Sequence, residues 1–215
     1  MIIREETISP SAELQKYLSC MPPALHKKAA FYDIETTGLG WRSSHIYLIG
    51  ILFSGENGWT MRQWFLDRPF AEKELLEDLA NFLTQLDPAI LADYNGSTFD
   101  RPYLRHKYAF YKLPVPAPLS EERAQCQTDI LRCLRLMKDR LPVTSLKLQD
   151  VEKLLQTGRK DSSSGKDLIE VYYRFLQNGD ANLLEHLFLH NHDDILGLLP
   201  AASLLSFSEF WRGGF

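Results

Sequence analysis

The chain has 215 residues, of which 45% are hydrophobic and 24% are charged, a balance typical of folded globular proteins. Its formal net charge is −4, from 24 basic and 28 acidic residues, which argues against nucleic-acid binding by bulk positive charge alone. The longest apolar run lies around Ile46 to Phe53, far short of the roughly 20 residues that a membrane helix needs. The composition therefore predicts no membrane partner.

The N-terminus and the cysteines bear on the cellular compartment. Residues Met1 to Glu6 already include two acidic residues and lack the apolar stretch of a signal peptide. The cysteines Cys20, Cys126 and Cys133 are odd in number and show neither zinc-binding nor redox spacing. Together these features predict a cytoplasmic protein.

The first predicted element is an N-terminal arm over residues 1–27. It is polar and holds one short helix, Ser11 to Ser19, which Pro22-Pro23 ends. The remaining residues, 28–215, are predicted to form one domain.

Three strands open that domain. Ala29 to Thr36 is apolar up to an acidic pair, and Ile46 to Phe53 is apolar enough to be a central, buried strand. Gly55 to Gly58 is a strong turn signal, and Trp59 to Leu66 alternates as a returning strand, so these two strands are predicted to form a hairpin.

Helical spacing of apolar residues dominates the rest of the chain. The order of elements predicts an α/β protein with a mixed five-stranded sheet flanked by helices and with a helical C-terminal part. The loop Thr157 to Gly165 is rich in Ser, Gly and Lys and is expected to be mobile. Further strands are predicted at 89–94 and 125–128, and helices at 71–86, 99–111, 130–140, 145–156, 165–177 and 182–205.

The first strand carries the first chemical motif, Asp33-Ile34-Glu35. Residues two apart on a strand share a face, so Asp33 and Glu35 point together while Ile34 points into apolar packing. Two neighbouring carboxylates repel each other, and a divalent cation removes that penalty. The alternative is an exposed edge strand with two solvated acids, against which the flanking apolar residues argue.

The second motif runs from Asn95 to Asp100, at a strand-to-helix junction. Asp100 is placed either to bind a metal or only to complement the dipole of the helix that follows. Asn95 is placed either to donate to a phosphate or only to make the turn.

The third motif is His190-Asn191-His192-Asp193-Asp194, inside a helical pattern. His190 and Asp194 are four residues apart and share one helix face, whereas His192 lies nearly opposite Asp194. The pair is positioned either to reach a site that the helix packs against or to form an ion pair on the surface.

Taken in order, these motifs resemble those of the DEDD exonuclease superfamily, and most closely those of the bacterial YprB-like predicted exonucleases, which have an RNase H-like fold. The resemblance extends from about Ala30 to Leu205. It covers the three motifs at 31–39, 94–100 and 190–194, and two further segments at 141–147 and 161–173.

The resemblance implies a metal-dependent 3′→5′ exonuclease that hydrolyses phosphodiester bonds at single-stranded DNA or RNA ends. Two divalent ions, Mg²⁺ or Mn²⁺, would be held by four acids, and His190 would accept a proton from the attacking water. The implied metal ligands are Asp33, Glu35, Asp100 and Asp194. The resemblance also implies that Thr36 and Leu39 line the terminal nucleotide. Asn95 and Phe99 are further candidates for substrate contact, and Phe99 is placed either to stack on a base or to pack in the core. Lys147, Arg101 and Arg105 are either phosphate contacts or solvated surface.

The third motif departs from the family pattern. The YprB-like and tyrosine-type proteins have Tyr four residues before the last Asp, and the histidine-type proteins have His five residues before it. Here His190 stands four residues before Asp194. The role of His190 is therefore less directly implied than those of the four acids.

Three other functions remain open at this point. The chain is alternatively a nucleic-acid-binding or interaction module that keeps the fold with weak activity or none. It is alternatively an endonuclease or RNase H-type hydrolase that uses the same carboxylates. A mononuclear zinc hydrolase built on His190 and His192 is disfavoured, because these two side chains point to different sides of a helix.

Overall fold

A computed structural model describes residues 1–9, 12–22, 25, 28–55, 58–159, 161, 163 and 165–207. These residues form a six-stranded sheet with helices packed on it. In space, the strands follow the order β1-β4-β3-β2-β5-β6. The strands are β1 (Ile2–Ile8), β2 (Ala29–Thr36), β3 (Ile46–Gly55), β4 (Gly58–Phe65), β5 (Ile90–Asp93) and β6 (Gln127–Asp129).

The sheet is mixed. The pairs β1–β4, β4–β3 and β3–β2 are antiparallel, and the pairs β2–β5 and β5–β6 are parallel. Gly55 is paired with Gly58, so β3 and β4 form the predicted hairpin. The two middle residues of the predicted turn, Glu56 and Asn57, lie outside the described residues.

The strand count is a correction to the sequence prediction. The expected sheet had five strands, and β1 is the sixth, contributed by the predicted N-terminal arm. The strand was missed because it lies at the edge of the sheet, where its Glu side chains are exposed and its residues look like a polar arm. The division of the chain at residue 28 stays a prediction.

The helices agree with the predicted ones to within a few residues, and the α/β class with a helical C-terminal part is confirmed. Ser11 and Pro23, which the first predicted helix and its end include, lie outside the described residues. The helices are α1 (Ala12–Cys20), α2 (Glu72–Leu86), α3 (Asp100–Phe110), α4 (Ile130–Leu136), α5 (Leu148–Leu155), α6 (Gly165–Asn178) and α7 (Ala181–Ser203).

Among the residues that the structure describes, the core consists of two apolar clusters, and β2 contributes to both. Tyr32 and Ile34 belong to the cluster that includes the buried faces of α2 and α3. Phe31 belongs to the cluster that includes α4, α5 and the second half of α7. Because side chains alternate along a strand, Asp33 and Glu35 share the face of Phe31 and are directed towards α7.

None of the helices in the described part of the chain has both the length and the apolar character needed to cross a membrane.

Candidate metal centre

The first acidic pair lies on the central strand β2. Ile34 is 5% exposed and packs in the apolar core, as its alternation with Asp33 and Glu35 predicts. The pairing of β2 with β3 shifts register between Glu35 and Thr36. Such an irregularity bends a strand and changes the direction of its side chains, and it is common beside functional sites.

Helix α7 brings the third motif to this strand. Nε2 of His190 lies 3.3 Å from Glu35 Oε1 and 3.2 Å from Asp194 Oδ2. These three ligand atoms all lie within 4.8 Å of one another, which is close enough for one metal ion. His190 is only 4% exposed, so His190 and Asp194 are not the surface ion pair that was the alternative.

Asp33 is tied to the same helix by an amide. Asn191 Nδ2 donates a hydrogen bond of 3.0 Å to Asp33 Oδ2. The side-chain oxygen Oδ1 of Asn191 in turn accepts a hydrogen bond of 2.9 Å from Gln63 Nε2 on β4. Neither Asn191 nor Gln63 was singled out from the sequence, because an amide within an apolar pattern gives no signal of its own.

Asp100 enters from the start of α3 and is also buried. Its carboxylate accepts a hydrogen bond from the backbone of Ile34, so it lies against the strand that carries the first acidic pair. Burial, followed by the charge of Asp93, raises the pKa of Asp100 to about 8. Burial disfavours the charged form of this carboxyl, and a nearby cation would stabilise that form.

The two acids of β2 show the same electrostatic strain. Burial raises the pKa of Asp33 well above its ordinary value, and the charges of Glu35, Asp194 and Asp100 raise it further. Burial likewise raises the pKa of Glu35 to about 7, although the nearby His190 opposes this change. Divalent metal ions would relieve this repulsion, so the oxygen-rich set fits hard divalent cations.

The two carboxylates nearest His190 each have one oxygen held by another side chain. Tyr47 Oη donates to Glu35 Oε2 at 3.5 Å. Arg159 Nη1 lies 2.5 Å from Asp194 Oδ1. The other oxygen of each carboxylate faces His190, so the orientation of both groups is set by the chain.

The loop between α5 and α6 contributes residues that the sequence did not identify. Asp161 Oδ2 lies 2.5 Å from His190 Nδ1, and Arg159 contacts both Asp194 and Glu152. The side chains of Arg159 and Asp161 are 9% and 4% exposed, so this part of the loop predicted to be mobile is packed on α7. Lys160, Ser162 and Ser164 of the same loop lie outside the described residues.

The sequence did not predict a role for those loop residues, because contacts between a loop and a distant helix leave no periodic pattern. The only available signal was the resemblance of segment 161–173 to the YprB-like group, which did not distinguish Asp161 from its neighbours. Hydrogen bonds from His190 and Ser163 outweigh burial and lower the pKa of Asp161 to about 2. It is therefore an anion that faces the imidazole.

The predicted substrate contacts are placed unevenly. Leu39 is 86% exposed on the loop after β2, and Lys147 is exposed at the start of α5. The Thr36 hydroxyl donates to the backbone of Gly38 at 3.0 Å, and Phe99 packs on Tyr103 with ring centroids 5.3 Å apart. Asn95 makes the turn, with a left-handed φ of 69°.

The two arginines of α3 are engaged in the fold. Arg101 Nε lies 2.6 Å from the buried Asp93. Arg105 donates to the backbone oxygen of Leu119 at 2.6 Å and to Gln127 at 3.0 Å. These contacts give both residues a structural role, and phosphate binding by either stays a prediction.

Of the remaining histidines of α7, His192 lies away from the cluster and His186 contacts Asp161. His192 Nε2 contacts Glu6 of β1 at 3.4 Å, on another side of the helix from His190. His186 Nε2 lies 3.1 Å from Asp161 Oδ1. The separation of His190 and His192 agrees with the argument against a zinc site built on both.

Comparisons with known proteins agree with this fold. The family RNase_H_2, described as the RNase_H superfamily, matches residues 30–205. The chain is 30% identical over 171 residues to "Uncharacterized protein YprB" of Bacillus subtilis (strain 168), covering 79% of this chain and 40% of YprB. It is 32% identical over 92 residues to "DNA polymerase 1" of Pyrococcus abyssi, covering 39% of this chain and 12% of the polymerase.

A solved structure gives the same result for the fold. The family B DNA polymerase from the hyperthermophilic archaeon Pyrobaculum calidifontis superposes with a TM-score of 0.60 at 16% identity, over 82% of this chain and 24% of that chain. At this identity the likeness concerns the fold alone.

Together, the mixed sheet and the family match over residues 30–205 define an RNase H-like protein. The chain belongs to the RNase H superfamily. It spans less than half the length of the curated relatives it matches, at 40% of YprB and 12% of the polymerase.

Proposed function

We propose that this chain is a metal-dependent 3′→5′ exonuclease that hydrolyses phosphodiester bonds at single-stranded DNA or RNA ends. The observation that carries the proposal is the convergence of Glu35 Oε1, His190 Nε2 and Asp194 Oδ2 within 4.8 Å, with Asp33 held beside them by Asn191. Membership of the RNase H superfamily and the resemblance to DEDD exonucleases support a phosphodiester substrate.

The acids of β2, α3 and α7 would hold the metal ions. Asp33, Glu35, Asp100 and Asp194 offer carboxylate oxygens, which Mg²⁺ and Mn²⁺ accept. When bound, the ions would supply an activated water for attack on phosphorus and stabilise the departing oxygen. The side chains that hold these acids, above all Asn191, Tyr47 and Arg159, would keep the carboxylates oriented before substrate arrives.

A nucleic-acid substrate is consistent with the negative net charge of the chain. When ionised, the four clustered acids would contribute about −4, and divalent ions would offset this charge at the place where phosphate would bind. The sequence likeness to "DNA polymerase 1" of Pyrococcus abyssi, whose name is that of an enzyme acting on DNA, also supports a nucleic-acid substrate. The exposed Leu39 and Lys147 are the proposed contacts to the strand outside the metal centre.

The test uses a 5′-labelled single-stranded oligonucleotide and the full chain with Mn²⁺ or Mg²⁺. An exonuclease shortens the strand stepwise from the 3′ end and releases nucleoside 5′-monophosphates, and chelation of the metal stops the reaction. Asp33→Asn is expected to abolish release. Asp87→Asn is the matched control, because Asp87 is an exposed carboxylate paired with Arg123 at the end of α2.

A circular single strand separates the alternatives. An exonuclease leaves the circle intact, whereas an endonuclease cuts it. DNA and RNA versions of the same linear strand identify the preferred sugar. Binding of the linear strand without any metal-dependent release would overturn the proposal in favour of an inactive binding module.

A further inference from the structure

His190 is held at both ring nitrogens. Nδ1 lies 2.5 Å from Asp161 Oδ2, and Nε2 faces Glu35 and Asp194. The imidazole side chain is 6% exposed, so protein contacts set its position. Because the carboxylate of Asp161 accepts a hydrogen bond from Nδ1–H, Nε2 is the nitrogen that is directed at the acidic cluster.

The atoms around Nε2 have the spacing of ligands to one ion. Neighbouring ligands held at about 2.1 Å from a divalent ion lie about 3 Å apart when they are at right angles. The separations of 3.3 Å to Glu35 Oε1 and 3.2 Å to Asp194 Oδ2 are close to this value. All three atoms lie within 4.8 Å of one another.

In both carboxylates of this group, the oxygen that faces His190 is not the one held by Tyr47 or Arg159. Tyr47 holds Glu35 Oε2 and Arg159 holds Asp194 Oδ1, so the oxygens left for an ion are the two that face His190. The same division of oxygens is expected when carboxylates bind a metal through one oxygen and accept a hydrogen bond through the other.

We propose that His190 binds metal directly through Nε2, in a mixed nitrogen–oxygen site with Glu35 and Asp194, and that Asp161 is its positioning residue. The inference rests on the proposed function and differs from the role of proton acceptor that the family resemblance implies. A histidine that binds a metal almost always donates its second ring N–H to a carboxylate or carbonyl, and Asp161 supplies that acceptor.

The donor set also indicates which ion is bound. Mg²⁺ prefers oxygen ligands in a strict octahedral arrangement, whereas a first-row transition ion accepts an imidazole more readily. A site with one histidine and two carboxylates therefore prefers a transition-metal ion such as Mn²⁺ over Mg²⁺.

The test is electron spin echo spectroscopy on the full chain loaded with Mn²⁺ alone. The proposal predicts coupling from a histidine nitrogen, identified by growing the protein with ¹⁵N-labelled histidine. The coupling is lost in His190→Gln and kept in His192→Gln, the matched control on another side of α7. Calorimetric titration measures the affinities of the same proteins for Mn²⁺ and Mg²⁺.

Asp161→Asn keeps the imidazole and removes the charged acceptor. Loss of such an outer partner typically weakens metal binding about 10–100-fold, and we expect this loss for Mn²⁺ with the histidine coupling retained. A merely structural role would instead lower thermal stability and leave the affinity of the folded protein unchanged. Thermal unfolding of every variant in chelator identifies any that fails to fold, and Asp161→Asn then remains as a second test.

The outcomes separate this inference from the proposed function. Mn²⁺ binding and strand cleavage without histidine coupling, or with coupling that survives His190→Gln, would overturn metal binding by His190 and leave the exonuclease proposal standing. Failure to bind Mn²⁺ at all would overturn both.

Discussion

Asn191 on α7 donates a hydrogen bond of 3.0 Å to Asp33 on β2, although 158 residues separate them in the chain. The contact is possible because Gly50 of β3, which is paired with Asp33, has no side chain under the helix. Gln63, the partner of Gly50 on β4, donates to the same Asn191. This arrangement sets the distance between the third motif and the first.

Asn191→Leu tests that arrangement. Leu has a similar size but cannot donate to Asp33 or accept from Gln63, so buried polar groups lose their partner. We expect the free energy of unfolding to fall by about 1–3 kcal/mol in urea denaturation. Asn182→Ala at the exposed start of α7 is the control, and an equal loss in both variants would contradict the role assigned to Asn191.

Gly50→Ala tests the close approach of the helix. A Cβ at this position would collide with Asn191 Oδ1 and Ile195 Cδ1. Overpacking of this kind typically costs about 1–3 kcal/mol, and α7 would have to move away from β3. Thermal unfolding and Mn²⁺ titration should therefore both show a loss.

Gly165→Ala is the matched control for that variant. A Cβ there meets nothing within 4 Å, so stability should be unchanged or slightly higher. Equal behaviour of the two alanine variants would show that the space above Gly50 is not needed.

Asp100→Asn separates stability from metal binding. Because burial raises the pKa of Asp100 to about 8, removal of its charge should stabilise the metal-free protein by about 1 kcal/mol or more near pH 8. The same change removes a proposed ligand and should weaken metal binding at least about tenfold. The readouts are unfolding in chelator and calorimetric titration. Asp180→Asn, a conservative change at the N-cap of α7, should alter neither quantity.

The stability of the metal-free protein should depend on pH. Burial raises the pKa of Glu35 to about 7. Burial by itself lowers the pKa of His190, but the hydrogen bond and the charge of Asp194 have the larger effect and raise this pKa to about 9. In the unfolded chain, the acids lose their protons above about pH 4.5 and histidine loses its proton above about pH 6.5. In the folded protein, Glu35, Asp100 and His190 keep their protons to higher pH. The free energy of unfolding should therefore fall as pH rises from about 5 to about 9.

Denaturation in chelator at about pH 5.5 and about pH 8.5 measures this effect. We expect a loss of more than about 1.4 kcal/mol, the equivalent of one pKa unit. Mn²⁺ should recover most of the loss at the higher pH, because the ion replaces the protons. A metal-free protein that is more stable at about pH 8.5 would contradict the account.

Patterns within single segments predicted much of this molecule. Alternation along β2 placed Asp33 and Glu35 on one face, and helical spacing placed His190 with Asp194. Both predictions depend only on local geometry, so they needed no knowledge of the rest of the chain. The mixed sheet followed from the order of such segments.

Features that depend on packing between distant segments were not predicted. Asp161 reaches His190 from a loop whose composition indicates only mobility. Arg101, interpreted from the sequence as either a phosphate contact or solvated surface, is buried and paired with Asp93. Strand β1 was missed because an edge strand exposes its polar side chains and lacks the apolar pattern of a central strand.

The central claim is that β2 and α7 together bind a divalent cation between Glu35, His190 and Asp194. Anomalous diffraction from a crystal soaked in Mn²⁺ tests it most directly, since the manganese signal locates the ion without assumption. We expect a peak in contact with Glu35 Oε1, His190 Nε2 and Asp194 Oδ2. A saturating soak with no peak there, or a peak bound only elsewhere on the surface, would contradict it.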